Sequence, residues 1–440
     1  MKKILILTTE NLPFFETPVR GGGIRAEMFG EGLKENGFEI IYGFCHDENE
    51  KVDYEHENLR FLTPYTSYKV LEEINPDGIL SISWYPLLFF HSEIDLPVAV
   101  DFHGAVVIEN NYKGTVDYRR DFTLKTKALS KADFFTSSAP RGVDMYFFPY
   151  LFSADIDPKF ANINYIPMGF PQPFPFIKQC SQKEINFIYA GFLWHWKKSE
   201  DYVRTIAEFC DKQKIGMVSI FSNEYKEYGG LSVFPLSSRN EVLKKYACSD
   251  VGVNLMHQDN ETRRGITTVA LEMMWSGLPV IALESLQIAE YIRKFDTGWL
   301  MKYGDMKTLL RILNEIKQNP EIIKNKGASA SRLIAEKFLR KKVIKPLCDF
   351  FISPYKLKKR KYISYWQANI DILDDDLETR KSLIISKLDW MKKLSKREKE
   401  IDTKIRKLEN RITSFERKLP IRTLRLAKRI SAYLRKNKSD

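Results

Sequence analysis

The 440-residue sequence predicts an α/β chain with two mostly parallel sheets and a long helical tail. Short apolar runs such as KILILTT, VAV, NFIYAG, GMVSIF and VIAL alternate with stretches of helical periodicity, the signature of βα units that place strands side by side. A non-periodic stretch, NINYIPMGFPQPFPF (162–176), concentrates prolines between two such series. From Ile370 a heptad repeat takes over. The expected division is an N-terminal domain over 1–165, a hinge over 166–178, a second domain over 179–350, a helical coiled-coil tail over 356–419 and a basic amphipathic segment over 420–440.

A length of 440 residues exceeds what one core normally serves, and 44% hydrophobic content suffices for two. Cys45, Cys180, Cys210, Cys248 and Cys348 are scattered without paired spacing, which suggests neither a disulfide framework nor a zinc site. The six histidines show no metal spacing either, and DxD-type acidic pairs occur only before a proline (Asp155, Asp157) and in the tail (Asp374 to Asp376). No apolar run reaches a membrane-spanning length. The opening MKKILILTTE has too short an apolar run for a signal peptide, so the cytoplasm is the expected location. The net charge of +12 belongs to the tail: residues 350–440 hold 26 Lys+Arg against 12 Asp+Glu, and the 43 basic and 45 acidic residues before them nearly cancel.

Taken in order, KILILTT reads as a buried first strand, followed by a loop that reaches Gly21, Gly22 and Gly23 at the entrance of a helix ending near Gly37. Glycines at the carboxyl end of a first strand let a backbone approach a ligand, although a tight turn explains them equally well. Arg25 stands just inside that helix as a possible helper. LPVAVDFHGAVVIEN gives a strand and a polar loop with Asp101, His103 and Glu109, and KADFFTSSAP a strand ending at Ser137 and Ser138. After the prolines, EINFIYAGFLWHWKKSEDYVRTIAEFC gives strand, Gly191, an aromatic loop (Trp194, His195, Trp196) and a helix. The aromatics suit stacking on a sugar or base, or a hydrophobic lid.

ETRRGITTVALEMMWSGLPVI (261–281) carries the chemistry. Thr267 is expected as N-cap, its hydroxyl accepting an orphaned amide of the helix start. Gly277 suits the left-handed residue beyond the helix end, and Pro279 blocks continuation. A helix opening just after Gly265, with Thr267 and Thr268 at its start, offers free amides and partial positive charge to a phosphate. Glu272 lies about a turn and a half inside, long enough to reach a ribose. An ordinary amphipathic helix after a glycine turn reads the same residues without chemistry.

These residues also resemble the donor-site signature of the group 1 retaining glycosyltransferases, a family with two Rossmann-like domains (the GT-B fold). In that family a Glu-x7-Glu pair brackets the helix start and its second Glu holds the ribose of a sugar nucleotide. Glu272 matches the second Glu; Arg264 stands where the first belongs, as in a divergent subgroup with an ETR element, so Glu261 or Arg263 is the expected stand-in. The family places an Arg one residue and a Lys six residues after the glycine of the first strand in the second domain. Lys197 matches the Lys, Phe192 replaces the Arg, and Arg263 or Arg264 is the candidate replacement cation. His103 matches the family's strand-end histidine beside the transferred sugar, Glu290 a position on the following helix, and Pro167 with Gly169 the hinge.

The resemblance therefore implies His103, Lys197 and Arg264 as catalytic residues, and Gly22, Gly23, Gly191, Lys197, Arg263, Gly265, Thr267, Thr268 and Glu272 as donor-binding residues. It implies no cofactor and no metal, the leaving diphosphate being stabilised by basic side chains and helix amides. The expected reaction is transfer from a nucleotide-diphosphate sugar to a glycan or lipid-linked acceptor in bacterial surface polysaccharide assembly, with retention. A catalytically degenerate sugar-nucleotide scaffold and a UDP-sugar epimerase of the same fold are the alternatives. FLRKKVIKPLCDFF (338–351) is expected to cross back to the first domain.

In the tail, twelve of fifteen a/d positions from Ile370 to Leu419 are apolar, with Arg380, Lys387 and Glu398 the exceptions; no glycine interrupts the run and Pro420 ends it. A homodimer through this coil is expected. IRTLRLAKRISAYLRKNK then carries seven basic residues and no acid, which suits an anionic membrane surface and lacks any nucleic-acid recognition module. Peripheral attachment at the inner face of the cell membrane follows.

Overall fold

The computed structural model describes residues 1–46, 56–90, 94–102, 114–115, 117–139, 154, 156, 161, 163–177, 184–191, 199–257, 263, 265–357 and 363–416. By contacts the chain falls into two compact units, Met1–Tyr365 and Trp366–Asp440.

The first unit holds two parallel sheets. Strands β1 (Lys3–Thr8), β2 (Glu39–Cys45), β3 (Leu59–Leu62), β4 (Gly78–Ile82), β5 (Val98–Phe102), β6 (Phe134–Ser137) and β7 (Ile163–Tyr165) form one in the order 3-2-1-4-5-6-7. Strands β8 (Ile185–Tyr189), β9 (Gly216–Phe221), β10 (Leu231–Phe234), β11 (Val251–Asn254), β12 (Val280–Leu283) and β13 (Gly298–Met301) form the other in the order 10-9-8-11-12-13. Both orders reverse direction beside the first strand of the sheet, between β1 and β4 and between β8 and β11. Ligands of doubly wound sheets enter at such switch points, outside the carboxyl ends of the strands.

The strands are covered on both faces, as parallel sheets require. Ile4 and Ile6 of β1 face one hydrophobic cluster while Leu5 and Leu7 face another, the period-2 alternation of a strand buried on both sides. Helix α1 (Gly21–Lys34) packs on β1 and β2, and α2 (Ser67–Ile74) and α3 (Tyr118–Leu129) accompany the same sheet. Around the second sheet lie α4 (Glu200–Gln213), α5 (Arg239–Ala247), α6 (Thr268–Trp275), α7 (Ile288–Phe295), α8 (Met306–Gln318) and α9 (Glu321–Lys337). The expected two Rossmann-like halves are both present.

Two stretches join the halves, and they are bonded to one another. Phe170 N–H donates to the Phe338 carbonyl (2.8 Å) and Arg340 N–H to the Phe170 carbonyl (2.9 Å). Beyond this crossing come α10 (Arg340–Val343) and α11 (Lys345–Ile352). The second belongs with the first sheet: Phe350 stacks on Phe134 with centroids 4.7 Å apart, and Lys2 Nζ donates to the Phe351 carbonyl at 2.8 Å. The return of 338–351 to the first half is therefore observed. Residues up to Leu357 follow it, with Leu357 N–H donating to buried Asp133 at 3.2 Å, so the stretch assigned to the second domain ends on the first.

Unit two is dominated by α12 (Ile363–Glu416), which begins at the end of the first unit and runs 54 residues, about 80 Å at 1.5 Å per residue. Its Ile384, Met391, Leu394, Ile401, Ile405, Leu408 and Ile412, all at a/d positions, are exposed in the single chain. Among the described residues no helix is long and apolar enough to cross a membrane.

Candidate functional site

The switch point of the second sheet gathers several of the residues singled out by sequence. Gly191 follows β8 at φ +111°, a backbone conformation that favours glycine, and its Cα faces Val269 in the first turn of α6. Asn254 ends β11 and is buried. Thr267 stands at the N-cap of α6 with extended backbone, but its hydroxyl donates to Asn254 Oδ1 (3.2 Å) and caps no amide. The expected capping bond is thus replaced by a bond that ties the helix start to β11. No side chain caps the N-terminus of α6, so its first amides lack a side-chain acceptor, and Asn254 Nδ2 is buried without a partner among the described residues. Gly265, Thr267 and Thr268 are half-buried at this end, and Arg263 is exposed on a turn just before it.

Gly277, at φ +82°, ends the helix as expected, and Gly277 N–H donates to the Met274 carbonyl at 3.1 Å. Trp275, in the last turn, donates from Nε1 to the Pro171 carbonyl (2.8 Å) and stacks on Phe170 with centroids 5.0 Å apart. The connector between the halves therefore grips the same short helix that carries Glu272.

Glu272 does not stand open. It is 3% exposed and held by Arg239, the first residue of α5, whose Nε and Nη2 both approach Oε1 at 3.0 Å. The opposite edge of the guanidinium reaches the other half of the molecule: Nη1 donates to Glu27 Oε2 on α1 at 2.5 Å. Burial pushes the Glu272 carboxyl above the usual carboxylate range, and the adjacent Arg239 charge pulls it back only in part. Glu27 is raised in the same way, by burial first, with Arg239 opposing and Glu31 adding to the rise. Tyr246, also on α5, has its hydroxyl buried beside this knot without a partner among the described residues, and burial followed by the Glu272 charge pushes its phenol well up.

Sequence reading missed Arg239 and Glu27. A signal for the first existed: an arginine opening a helix sits at the positive end of the helix dipole, which is unfavourable unless carboxylates meet it.

At the first sheet, Gly22 and Gly23 lie inside the first turn of α1 and are buried. A Cβ on Gly23 would come within 1.8 Å of the Asn11 carbonyl oxygen, so packing of the helix start against the preceding loop already demands glycine there. Arg25 is not available to a phosphate. It is 1% exposed, pairs with Asp101 through Nε (2.9 Å) and Nη2 (2.8 Å), and donates to the Ile166 carbonyl at 2.6 Å. Thr136 adds a further bond to Asp101. Ser137 closes a local turn with Ala139, and Glu290 is exposed on α7. His103, Glu109, Phe192, Trp194, His195, Trp196, Lys197, Glu261 and Arg264 lie outside the described residues. Among the described residues no group of three or more His, Cys, Asp or Glu could hold a metal ion.

Comparison with known proteins agrees with this geometry. Residues 184–319, from β8 through α8, match the family model of glycosyl transferases group 1. No curated protein matches the chain by sequence. Among solved structures, sucrose-phosphate synthase from Thermosynechococcus elongatus superposes with a TM-score of 0.63 at 15% identity, covering 80% of this chain and 98% of that one. WaaG, a glycosyltransferase involved in lipopolysaccharide biosynthesis, gives 0.57 at 11%, covering 80% and 100%. HepE (Alr3699) from Anabaena, solved with UDP and glucose, gives 0.58 at 12% with the same coverage. At these identities the likeness speaks for the fold, the two-domain Rossmann-like GT-B arrangement.

Proposed function

We propose that this chain, a sugar-nucleotide-dependent glycosyltransferase of the group 1 type, moves a sugar with retention from a nucleotide diphosphate to a glycan or lipid-linked acceptor in bacterial surface polysaccharide assembly. One observation carries the reading: within the matched region, Gly191, Asn254, the uncapped start of α6 and Glu272 converge on the switch point of the second sheet. A diphosphate there meets helix amides and their partial positive charge, and Glu272, further along the helix, is the acceptor for ribose hydroxyls.

The departing diphosphate carries the charge that must be stabilised. Helix amides supply part of this, and Lys197 with Arg263 or Arg264 supply the cations in place of the arginine that Phe192 replaces, without a metal. His103 is assigned to the sugar side, as a hydrogen-bond donor to a hydroxyl. UDP bound to the structural neighbour HepE makes UDP the first nucleotide to try.

The tail sets assembly and address. The exposed a/d stripe of α12 calls for a partner helix, and a second copy of the chain supplies one of matching register. Dimerisation then presents two basic 420–440 segments to an anionic leaflet at the inner face of the cell membrane, each basic residue adding about 1 kcal/mol at most.

The experiment is to incubate full-length protein with a panel of UDP-, GDP- and ADP-sugars, with and without EDTA, and to follow binding heat and nucleotide release. Binding and release unaffected by EDTA support the reading, and the anomeric signals of the product report retention. Binding without turnover on any acceptor identifies a degenerate scaffold, and interconversion of the UDP-sugar an epimerase. A chain ending at residue 355 should be monomeric, keep nucleotide binding and no longer pellet with anionic vesicles. High salt should release the full-length protein from vesicles without dissolving the dimer. A truncated chain that stays dimeric removes the coiled-coil assignment.

A further inference from the structure

We infer that Arg239 is the positioning residue of the donor carboxylate, fixing one oxygen of Glu272 and, through Glu27, tying that oxygen to the first helix of the opposite half. The inference rests on the reading of Glu272 as the ribose acceptor. Three features carry it, and none depends on the others.

The first is the division of labour at the carboxylate. Both contacts from Arg239 to Glu272 fall on Oε1, and among the described residues none of the hydrogen bonds to Glu272 falls on Oε2. One oxygen is therefore anchored, and the other keeps its acceptor capacity for a ligand. A carboxylate with one oxygen pinned has fewer orientations to lose when a hydroxyl binds, which is how supporting contacts preorganise a site.

The second is the fork. Arg239 spends Nε and Nη2 on Glu272, 33 positions along the chain, and Nη1 on Glu27, 212 positions away, and they meet only because the two halves of the first unit come together here. A planar guanidinium serves two carboxylates along different directions, whereas a lysine offers one compact charge on a flexible stem. Glu27 sits on α1, so a rotation of the halves about the paired crossing at Phe170 and Leu339 would act on Arg239 directly.

The third is placement. Arg239 opens α5 against the helix dipole, a disfavoured position for a cation, and Ser238 before it makes no side-chain capping bond. The local chain gives no reason for an arginine here, and the two carboxylates do. Removing the guanidinium would leave the buried Glu272 and the half-buried Glu27 without their shared counter-charge, beside the buried Tyr246 hydroxyl, with Glu31 adding negative charge on α1 and Arg340 on α10 offsetting it only in part at Glu27.

A double-mutant cycle on the full-length protein tests this, read as UDP affinity by calorimetry. Arg239→Met should weaken UDP binding about tenfold, the lower range for a charge-assisted hydrogen bond. The same change in a Glu272→Gln background should have less than about a twofold effect, because the route of action is already gone. Glu27→Gln, a change at a half-buried side chain that touches no ligand, should weaken UDP binding about threefold, and this loss should vanish once residue 239 is Met. Thermal unfolding of each variant separates lost positioning from lost structure, and Glu27→Gln keeps the test alive should Arg239→Met not fold. Equal effects of Arg239→Met with and without the Glu272 carboxylate, or of Glu27→Gln with and without Arg239, overturn the inference. A wild type that binds neither UDP nor any other nucleotide of the panel overturns the sugar-nucleotide reading itself, and this inference with it.

Discussion

Two arginines in the first unit each hold carboxylates, and they do opposite things. Arg25 and Asp101 are sealed: both are at most 1% exposed, and Asp101 takes bonds from Arg25 and Thr136 while Arg25 also binds the Ile166 carbonyl. Arg239 is a bridge whose side chain keeps 15% exposure, it joins the two halves of the first unit, and among the described residues nothing bonds the second oxygen of its main partner. A carboxylate whose acceptor sites are filled by its own protein is architecture. One that is half-filled is the carboxylate proposed above as the ribose acceptor.

Breaking the sealed pair should have the largest effect. Asp101→Leu leaves a buried guanidinium unpaired and should lower stability by about 3–5 kcal/mol, measured by urea unfolding. Adding Arg25→Met should return much of the loss, since replacing both members of a buried pair by apolar groups is often nearly neutral. A single variant as stable as the wild type would show that the pair is not sealed after all.

Gly191→Ala comes next. At φ +111° an alanine is strained, although the nearest side-chain atom is an ordinary 3.6 Å from the added carbon. A loss of about 1 kcal/mol or more in unfolding free energy is expected, together with weaker nucleotide binding as the loop shifts away from α6. Unchanged stability and binding would remove this glycine from the site.

The smallest effect is in the pH profile. Glu27 and Glu272 both have carboxyls raised by burial, so the folded state holds their protons more tightly than the unfolded one. Their contribution is fully present below the unfolded Glu value of about 4.3 and is lost as the pH rises through the raised values. Relative to the wild type, Glu27→Gln/Glu272→Gln should therefore gain stability on going from mildly acidic to neutral pH, a trend that melting temperatures across that range will check. A difference of opposite slope would mean that Arg239 outweighs burial.

Much of this fold was legible because its signals are local. Alternating strands and helices, Gly277 with Pro279 and the heptad stripe each speak within a few residues of themselves. Helix α6 was legible too, with Glu272 inside it. The charge network was not: Arg239 lies 33 residues from Glu272 and 212 from Glu27, and only the meeting of two sheets brings them together. Two nearer readings failed for a related reason. Arg25 follows a glycine run and looks like a phosphate ligand, yet the topology carries β5 alongside and supplies Asp101 to bury it. Thr267 has the residue type and backbone of an N-cap, yet Asn254 at the end of β11 offers its hydroxyl a closer use.

The central claim is that the carboxylate on α6 receives the ribose of a nucleotide. The direct measurement is a calorimetric titration of full-length wild type and Glu272→Ala with UDP, under conditions where both have the same far-ultraviolet circular dichroism. Loss of about 1.5–3 kcal/mol of binding free energy is predicted, the range for a hydrogen bond to a charged group. Equal affinities for UDP in the two proteins would contradict the claim.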